Sequence, residues 1–560
     1  QRKYRFTWTS PLVFDRLDPH VLYLGAQVLL ATRDGGLHWS AISPDLTGAT
    51  SGVRDTTPVG VANAGARGYG VIYTIAPSPR QAGRIWVGSD DGLIHVTSDG
   101  GLHWRNVTPE GLLTWSMITG IEASPFDTAV AYAAVDRHRL DDFAPYIYRT
   151  RDGGRHWART DLGIAPQAYV QAVRADPARA GLLYAGTETG VYVSFDDGEH
   201  WQSLQLNLPT VSVRDLAVHD NDLIAATHGR SFWILDNLTH LHQLGDSVLR
   251  SPAVLFRPER ALRLRRSVSN DTPLPPEEPH GANPPAGAVV DYYLQAAPPS
   301  PVTLEILDAA GTRVRRFSSE DRVEPPREPP QIAAEWLPRP EPLTRDAGHN
   351  RFVWDLRYPP PEAERYGYSI AAIAGQGTVA EPEGPLVLPG EYQVKLTVGG
   401  RSLTQPLRVE LDPRIHIADT ALAAQLRLAL EIRSALAAQR VLQTAVRGVR
   451  DQLRTLQGAA GAGVGGGAGG LDTQSGSEVA ALARSVDSLV QASGGGGELA
   501  GLETVVESAD REPTEQAREA FAEVQRRLAR AERRWQEVRT TALPALNTRL
   551  QQRGLAPLTY

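Results

Sequence analysis

The sequence predicts a mainly β, multidomain protein in which repeated four-stranded sheets are followed by a second β region and then by helices. Three observations lead to this prediction. A turn motif of eight residues occurs four times within the first 201 residues. Short apolar runs separated by turn residues precede each copy. From residue 419 onward the spacing of apolar residues becomes helical. At 560 residues, the chain is long enough for roughly two to four domains.

The turn motif reads TRDGGRHW at residues 150–157 and recurs at 32–39, 97–104 and 194–201. The hydroxyl and carboxylate groups of the motif can bond backbone groups of a loop, and glycine supplies a positive φ. The indole is expected to cover the core as the chain enters the next strand. The motif therefore predicts a structural turn rather than a site of chemistry. Its defining side chains are Asp34, Asp99, Asp152, Asp196, Trp39, Trp104, Trp157 and Trp201.

The four copies resemble the Asp-box, the BNR repeat of bacterial neuraminidases, and this resemblance implies a β-propeller. Three strand-length runs, a box and a following strand make one four-stranded antiparallel blade. A fifth unit at residues 213–235 keeps the strands but lacks the box. Residues 1–240 are therefore predicted to form about five blades. Propellers with this box more often close with six, seven or ten, so the ring is predicted to be completed by sequence outside this chain or by another chain.

Beyond residue 240 the composition predicts three further parts. Residues 241–287 are rich in proline and polar residues and predict an extended linker. Apolar alternation over 288–413 predicts a small β-sandwich similar to immunoglobulin-like modules. Residues 414–560 predict a helical hairpin or bundle, with helices from 419, over about 478–492 and over about 514–541, and a flexible glycine-rich loop at 458–470. Pro544 is expected to interrupt the last long helix.

Taken together, this order of parts resembles the C-terminal half of large secreted bacterial proteins with sortilin-like propellers, which are loosely catalogued as glycosyl hydrolases. The resemblance rests on residues 4–8, 23–26, 42–47, 228–233 and 283–287 and covers the whole chain. It implies an extracellular or periplasmic location, with the signal peptide absent from this chain. It also implies that more propeller sequence precedes the part seen here.

Composition narrows the function classes. A net charge of −7 and a pI near 6.1 argue against nucleic acid as a partner and offer no basic face for anionic lipid. No run of about 18 apolar residues is present, so no membrane span is predicted. Cysteine is absent, which excludes disulfides and cysteine nucleophiles. No phosphate-binding glycine loop and no serine nucleophile elbow occur, and no cofactor is predicted.

A glycoside hydrolase needs two carboxyl groups about 5 to 9 Å apart. The box aspartates lie on successive blades and are too far apart for this, and the histidines that precede the box tryptophans are too dispersed to share one metal ion. Catalytic carboxylates should instead lie in loops between the second and third strands of the blades, near the mouth of the ring. The catalytic candidates are Asp136 and Glu188, with Asp90 and Asp91 in an equivalent loop. His228 and Arg230 form a candidate binding or packing pair.

Structural repeats are abundant in the sequence and a convergent acid–base set is not evident. The preferred prediction is therefore a non-catalytic extracellular protein that binds protein or peptide partners or serves in structural assembly. The alternative is a carbohydrate-active glycoside hydrolase, sialidase-like or glucanase-like, that uses carboxylates in the channel. Two carboxylates at the separation of a hydrolase, beside aromatic platforms for sugars, would favour this alternative.

Overall fold

The computed structural model describes residues 3–48, 70–265, 281, 283–322, 342–361, 367–368, 380–462, 473–494 and 497–560. Residues 266–280 of the predicted linker and 463–470 of the predicted glycine-rich loop lie outside this part of the chain. The chain divides into two compact units, Gln1–Gly245 (unit 1) and Asp246–Tyr560 (unit 2). The prediction of a mainly β protein with C-terminal helices is confirmed for the described residues.

Unit 1 is a series of antiparallel sheets whose strands pair in chain order, and we number these sheets blades 1 to 5. The strands are Leu12–Phe14, Leu22–Gly25, Leu29–Thr32 and Ser40–Ala41 in blade 1; Ile72–Pro77, Ile85–Ser89, Ile94–Thr97 and Arg105–Asn106 in blade 2; Met117–Ala123, Ala131–Asp136, Ile147–Thr150 and Ala158–Arg159 in blade 3; Val170–Ala175, Leu183–Thr187, Gly190–Ser194 and Gln202–Ser203 in blade 4; and Val213–His219, Asp222–Thr227 and Phe232–Leu235 in blade 5. This architecture confirms the predicted β-propeller class.

The apolar cores of unit 1 lie between neighbouring blades. Strand residues alternate between the two faces of a blade, so an inner blade buries one set against the preceding blade and the other set against the following one. In blade 2, Ile85 and Val87 pack in a cluster with Tyr23 of blade 1, whereas Trp86 packs in a cluster with Ile121 of blade 3. Each inner blade, from blade 2 to blade 4, is therefore stabilised by its neighbours on both sides.

The eight-residue motif forms the same turn in each four-stranded blade, as blade 1 shows. The Thr32 hydroxyl donates to Asp34 Oδ1 at 2.8 Å and accepts the Gly36 N–H at 3.0 Å. Asp34 Oδ1 accepts the His38 N–H at 2.9 Å, and His38 Nδ1 lies 2.6 Å from Oδ2. These contacts lower the pKa of Asp34 to about 2. The same contacts recur in the other three turns, so each histidine binds the aspartate of its own turn.

The tryptophan of each turn in blades 2 to 4 contacts the preceding blade. Its indole N–H donates to the backbone carbonyl of the first residue after the fourth strand of that blade. The bonds run from Trp104 to Ile42 (3.1 Å), from Trp157 to Val107 (2.7 Å) and from Trp201 to Thr160 (2.7 Å). The indole therefore links two blades, a contact that goes beyond the predicted covering of the core.

Two sheets share the main apolar core of unit 2, which includes Tyr292, Leu304 and Trp354. The three-stranded sheet has the order Ala253–Leu255, Ala288–Leu294, Gly348–Trp354. The five-stranded sheet has the order Ala261–Arg263, Arg401–Leu411, Gly390–Val398, Thr303–Asp308, Arg313–Ser318. Gly367–Tyr368 and Ala380–Glu381 form a further two-stranded pair. The likeness to an immunoglobulin-like module stays a prediction.

Residues 241–265 contain regular structure where the composition predicts a linker. The short helix α1, Thr239–Gln243, closes unit 1, and α2, Asp246–Arg250, opens unit 2. The strands Ala253–Leu255 and Ala261–Arg263 follow. Three-residue strands carry too little alternation to be recognised in a sequence. The second of them pairs in parallel with residues 409–411, a partner far along the chain.

The C-terminal helices are α3 (Asp419–Ala462), α4 (Thr473–Ala492), α5 (Gly497–Glu507), α6 (Glu515–Glu537) and α7 (Leu543–Gln552), with a π-helical turn at Val538–Ala542. Helix α3 continues through residues 458–462, where a loop was predicted, and α5 was not predicted. Pro544 lies in the first turn of α7, where a missing N–H is tolerated, so the helical run continues past it. Within the described residues, none of the helices combines the length and the apolar character needed to cross a bilayer.

Candidate functional site

The loops between the second and third strands lie at one end of the blades, which we call the loop face. Successive strands of an antiparallel sheet reverse direction, so the box turns between the third and fourth strands lie at the opposite end. The loop face carries the predicted positions Asp90, Asp136, Glu188 and His228, one from each of blades 2 to 5. It is the part of unit 1 where side chains from successive blades meet.

Asp136 of blade 3 is buried and holds His138. Its side chain is 0% exposed, and both carboxylate oxygens lie 2.7 Å from His138 Nδ1. Oδ1 also accepts the His138 backbone N–H at 2.8 Å, and Oδ2 accepts Gln171 Nε2 of blade 4 at 3.1 Å. A histidine that gives its Nδ1 proton to a carboxylate presents Nε2 as an acceptor. The His138 side chain is 31% exposed at the loop face.

Tyr169 connects this pair to the carboxylate of blade 4. Its ring stacks on the imidazole of His138 with centroids 4.8 Å apart. Burial and a hydrogen bond to Glu188 raise the pKa of Tyr169 to about 12, so the phenol is protonated and donates to that carboxylate. Ser212 Oγ of blade 5 donates to Glu188 Oε2 at 2.7 Å, and Arg214 Nη2 lies 3.8 Å from the same oxygen. Residues from blades 4 and 5 thus hold one half-buried carboxylate, and His138 of blade 3 reaches it through the ring of Tyr169.

We call Asp136, His138, Tyr169, Gln171 and Glu188 the loop-face cluster. The structure brings together Asp136 and Glu188, the two predicted catalytic candidates, and connects them through His138 and Tyr169. The carboxylates differ in access, because the Glu188 side chain is 34% exposed and that of Asp136 is fully buried. Glu188 can therefore contact a ligand directly, whereas Asp136 can affect a ligand only by orienting the side chain of His138.

Asp90 and Asp91 follow the second strand of blade 2, in the loop equivalent to that of Asp136 in blade 3. Burial raises the pKa of Asp90 to about 6, even though Oδ1 accepts the N–H groups of Gly70 and Val71 at 3.0 and 2.8 Å. Burial also raises the pKa of Asp91. Arg139, from the turn after Asp136, lies close enough to Asp90 to oppose the shift. Asp90 thus keeps its proton to a higher pH than an ordinary aspartate does.

Aromatic side chains flank these carboxyl groups. Phe143 is 47% exposed, and its ring lies 6.2 Å from that of Tyr169. Half-buried Trp115 donates its backbone N–H to the carbonyl of Asp91 at 2.9 Å, with φ at +64°. A positive φ is uncommon for a residue with a large side chain and is often found at functional sites. The loop face thus carries one exposed ring, Phe143, and one half-buried ring, Trp115, near the carboxyl groups.

An axial cavity of about 980 Å³ lies among the first strands of the blades. Gln171 and Arg214 line it next to the loop-face cluster, and Glu122, Arg174 and Asp215 line it as well. Arg174 Nη2 lies 2.6 Å from Asp215 Oδ1, and its Nη1 lies 3.9 Å from Glu122 Oε2. Burial raises the pKa of Glu122, and Arg174 opposes this shift. The cavity therefore has polar walls that continue from the loop face.

The predicted binding pair on blade 5 is not a pair of contacting side chains in the described structure. His228 is exposed, lines the axial cavity and donates its backbone N–H to Ser212 O at 2.8 Å. Arg230 is also exposed, and its carbonyl accepts Trp233 Nε1 at 3.0 Å. A binding role for these two residues stays a prediction.

Sequence reasoning missed His138, Tyr169 and Gln171. The spacing Asp-x-His directly after the second strand of blade 3 was a usable signal, because that spacing lets an aspartate bond both the backbone and the ring of the histidine. Tyr169 and Gln171 lie at the start of blade 4 and reach the site only through the packing of blades 3 and 4. No local pattern in the sequence marks them.

No family model matches the sequence. Two curated relatives are similar to the sequence. One is a probable oligoxyloglucan-reducing end-specific xyloglucanase of Neosartorya fischeri, which is 26% identical over 194 residues. The other is an oligoxyloglucan-reducing end-specific xyloglucanase of Emericella nidulans, which is 26% identical over 195 residues. Each alignment covers 32% of this chain. The chain spans about a fifth of the length of these relatives, 21% and 22%.

Solved structures with partial likeness include a GH74 enzyme of Niastella koreensis, with a TM-score of 0.30 and 12% identity over 40% of this chain and 33% of the other. They also include an ancestral GH74 enzyme, with a TM-score of 0.31 and 13% identity over 72% and 47% of the two chains. YCF48 bound to a D1 peptide has a TM-score of 0.23 and 17% identity over 42% and 80%.

The prediction of a non-catalytic binding or assembly protein is wrong. The finding that overturns it is the sequence similarity to the two xyloglucanases, which favours the alternative of a glycoside hydrolase. The prediction gave too much weight to the box turns, which repeat strongly in the sequence because they stabilise the fold. Groups suited to acid–base chemistry, by contrast, are spread one or two to a blade and converge only in three dimensions.

Proposed function

We propose that this chain is part of a glycoside hydrolase that cleaves a xyloglucan-type oligosaccharide at the loop face of unit 1. The observation that carries the proposal is the similarity of about 195 residues to two oligoxyloglucan-specific xyloglucanases. The loop face supports it with carboxyl groups in two different environments and with exposed aromatic rings beside them. Hydrolysis of a glycosidic bond uses one carboxyl group as the acid and a second as the base or nucleophile.

Asp90 is the proposed acid. Hydrolysis begins with a proton that must reach the glycosidic oxygen as the bond breaks, and a carboxyl group with a pKa of about 6 can carry that proton close to neutral pH. No hydrogen bond from the described residues goes to its Oδ2. Asp90 is 5% exposed, and two backbone N–H groups fix one of its oxygens, so the proposal requires the substrate to reach the other oxygen at the loop face.

Glu188 is the proposed second carboxylate. Its side chain is 34% exposed, and Ser212 and Tyr169 hold it by hydrogen bonds from two blades. A fixed carboxylate can accept a proton from an attacking water while the acid protonates the leaving oxygen. His138, positioned by buried Asp136 and stacked on Tyr169, is the proposed contact for a sugar hydroxyl. Phe143 offers an exposed ring for stacking on a sugar.

Single substitutions test this assignment. Asp90→Asn and Glu188→Gln keep the size of each side chain and remove its acid–base capacity. Loss of a general acid or base costs about 10²- to 10⁴-fold in rate, so each variant should release new reducing ends from oligoxyloglucan at least about a hundredfold more slowly. The matched control is Asp220→Asn on blade 5, where a 90% exposed carboxylate lies in a turn with φ of +50° that asparagine also tolerates. Parental rates in both site variants would overturn the assignment.

An extracellular or periplasmic location is part of the same proposal. Fractionation of the source cells with an antibody to unit 2 would test it. The protein should be recovered from the medium or the periplasmic fraction, and recovery from the cytoplasm alone would contradict the location.

A further inference from the structure

The outer face of blade 1 differs from the equivalent faces of blades 2 to 4 because no neighbouring blade covers it in the described structure, and only Tyr4 packs there, in a small cluster with Leu24 and Leu30. The equivalent positions can be found from strand register. Ile75 pairs with Val87 in blade 2, Ile121 with Ala133 in blade 3, Val173 with Ala185 in blade 4, and Leu12 with Leu24 in blade 1. The residues Ile75, Ile121 and Val173 are 6%, 3% and 0% exposed, whereas Leu12 is 58% exposed.

The box turn of blade 1 also lacks the contact with a preceding blade that the other box turns make. In blades 2 to 4 the glycine two residues after the box aspartate packs against the residue whose carbonyl accepts the indole N–H. A Cβ added to Gly101 would meet Ile42, and one added to Gly154 would meet Val107. A Cβ at Gly36 would meet only the ring of Trp39 from its own turn. Trp39 is 36% exposed, and no acceptor for its Nε1 is found among the described residues.

We propose that this surface, formed by Leu12, Phe14, Leu24 and Trp39, docks a further four-stranded blade. The surface is equivalent to the one that blades 2, 3 and 4 each present to the blade before them. At each of these interfaces an apolar sheet face covers the first two strands, and a backbone carbonyl just after a fourth strand accepts the indole N–H. Blade 1 retains its half of that interface, including Phe14 at 60% exposure. The docked blade supplies the other half.

A second copy of this chain does not fit the surface equally well. Its own free end is blade 5, which has three strands in the described structure and so offers no carbonyl that follows a fourth strand. The outer face of blade 5 is apolar as well, with Phe232 73% and Ile234 56% exposed. An apolar face alone would allow contact between copies, but it would leave the Trp39 N–H without its acceptor.

The test adds a blade to the full chain. A copy of residues 70–107, which is blade 2 with the carbonyl of Val107, is fused ahead of residue 1, so that residues 1–11 serve as the connector. The connectors at 107–116 and 160–169 have a similar length. Amide hydrogen exchange is measured for residues 12–24 in the fusion and in the parent. We expect exchange in this segment to slow at least tenfold in the fusion. A control fusion that lacks residues 105–107, and with them the fourth strand and the acceptor, should give little protection.

A second experiment uses the parent chain and does not depend on the folding of the added blade. In the parent chain Leu12→Ser should leave the unfolding midpoint unchanged, whereas Ile121→Ser at the equivalent position of blade 3 should lower it. Equal losses from the two substitutions would show that the surface is already covered and would overturn the proposal. Unchanged exchange at residues 12–24 in a fusion whose added blade is itself protected would also overturn it. So would a parent chain that sediments as a dimer with this segment protected.

Discussion

The carboxylate of Asp136 binds the imidazole of His138 at 2.7 Å, in the interior of the loop face. The same chemical pair occurs in the box turn of blade 1, where His38 lies 2.6 Å from Asp34. The environments differ, because the Asp34 side chain is 40% exposed and that of Asp136 is 0% exposed. A hydrogen-bonded pair in solvent shapes a turn, whereas a buried one can fix the orientation of a side chain at a functional face.

Asp136→Ala should destabilise unit 1 by about 2 to 4 kcal/mol, because three donors from His138 and Gln171 lose a buried, charged acceptor. Asp34→Ala removes an exposed carboxylate with similar bonds and should cost clearly less, since water can replace it. Urea unfolding followed by tryptophan fluorescence measures both. Equal losses would mean that Asp136 is no more than another turn residue.

Gly154→Ala should be more damaging than Gly35→Ala. Both glycines have positive φ, +84° and +70°, which costs a residue with a Cβ about 1 to 2 kcal/mol. At Gly35 a Cβ meets nothing within 4 Å, whereas at Gly154 it would lie 2.8 Å from the Cβ of Val107 in the preceding blade. Thermal unfolding should therefore show a small shift for Gly35→Ala and a large one for Gly154→Ala. Shifts of equal size would argue against tight contact between blades at the turn.

Trp201→Phe should destabilise unit 1 by about 1 kcal/mol or more, because it removes a hydrogen bond to Thr160 O at a site that is 4% exposed. Trp39→Phe removes an indole that is 36% exposed and should have little effect on the isolated chain. The free energy of unfolding of the two variants gives the comparison. A large loss from Trp39→Phe would be inconsistent with an uncovered face on blade 1.

Glu503 of α5 should make the stability of unit 2 fall as pH rises. The side chain is 1% exposed, and neither oxygen has a hydrogen-bond partner in the described structure. Burial raises the pKa of Glu503 from 4.5 to about 8, and Glu507 adds to the shift while Arg433 and Arg357 oppose it. Between these two pH values the folded state keeps a proton that the unfolded state releases, so the loss of stability is on the order of a few kcal/mol.

The substitution Glu503→Gln should flatten this dependence, because glutamine is neutral at every pH. Unfolding by urea at pH 5, 6.5 and 8 is the measurement, and Glu519→Gln on the exposed surface of α6 is the control. The control should retain the parental slope. A variant Glu503→Gln with an unchanged slope would show that other groups set the pH dependence of unit 2.

The box turns could be predicted from the sequence because their contacts are local. Thr32, Asp34, Gly36 and His38 bond one another within seven consecutive residues, so the pattern of residue types contains the geometry. The contact between Trp104 and Ile42 could not be predicted in the same way. It joins residues that are 62 positions apart and depends on how two blades stack.

The candidate site was predicted in part for the same reason. The position of a residue after a second strand places Asp90, Asp136 and Glu188 at one end of the blades, and that inference needs only strand order. Burial decides the difference in role between Asp136 and Glu188, and burial at the loop face depends on three blades. Helix α5 was missed because a short apolar segment flanked by glycines gives a weak periodic signal, and its stability comes from packing against α3 and α6.

Hydrolysis with Asp90 as the general acid can be tested directly. The experiment measures, as a function of pH, the rate at which this chain releases new reducing ends from oligoxyloglucan. A general acid must be protonated to act, so the account predicts product formation that declines as pH rises through about 6, the pKa of Asp90, and that is lost in Asp90→Asn. Product formation that never exceeds the enzyme-free blank, at any pH between 4 and 9, would contradict the account.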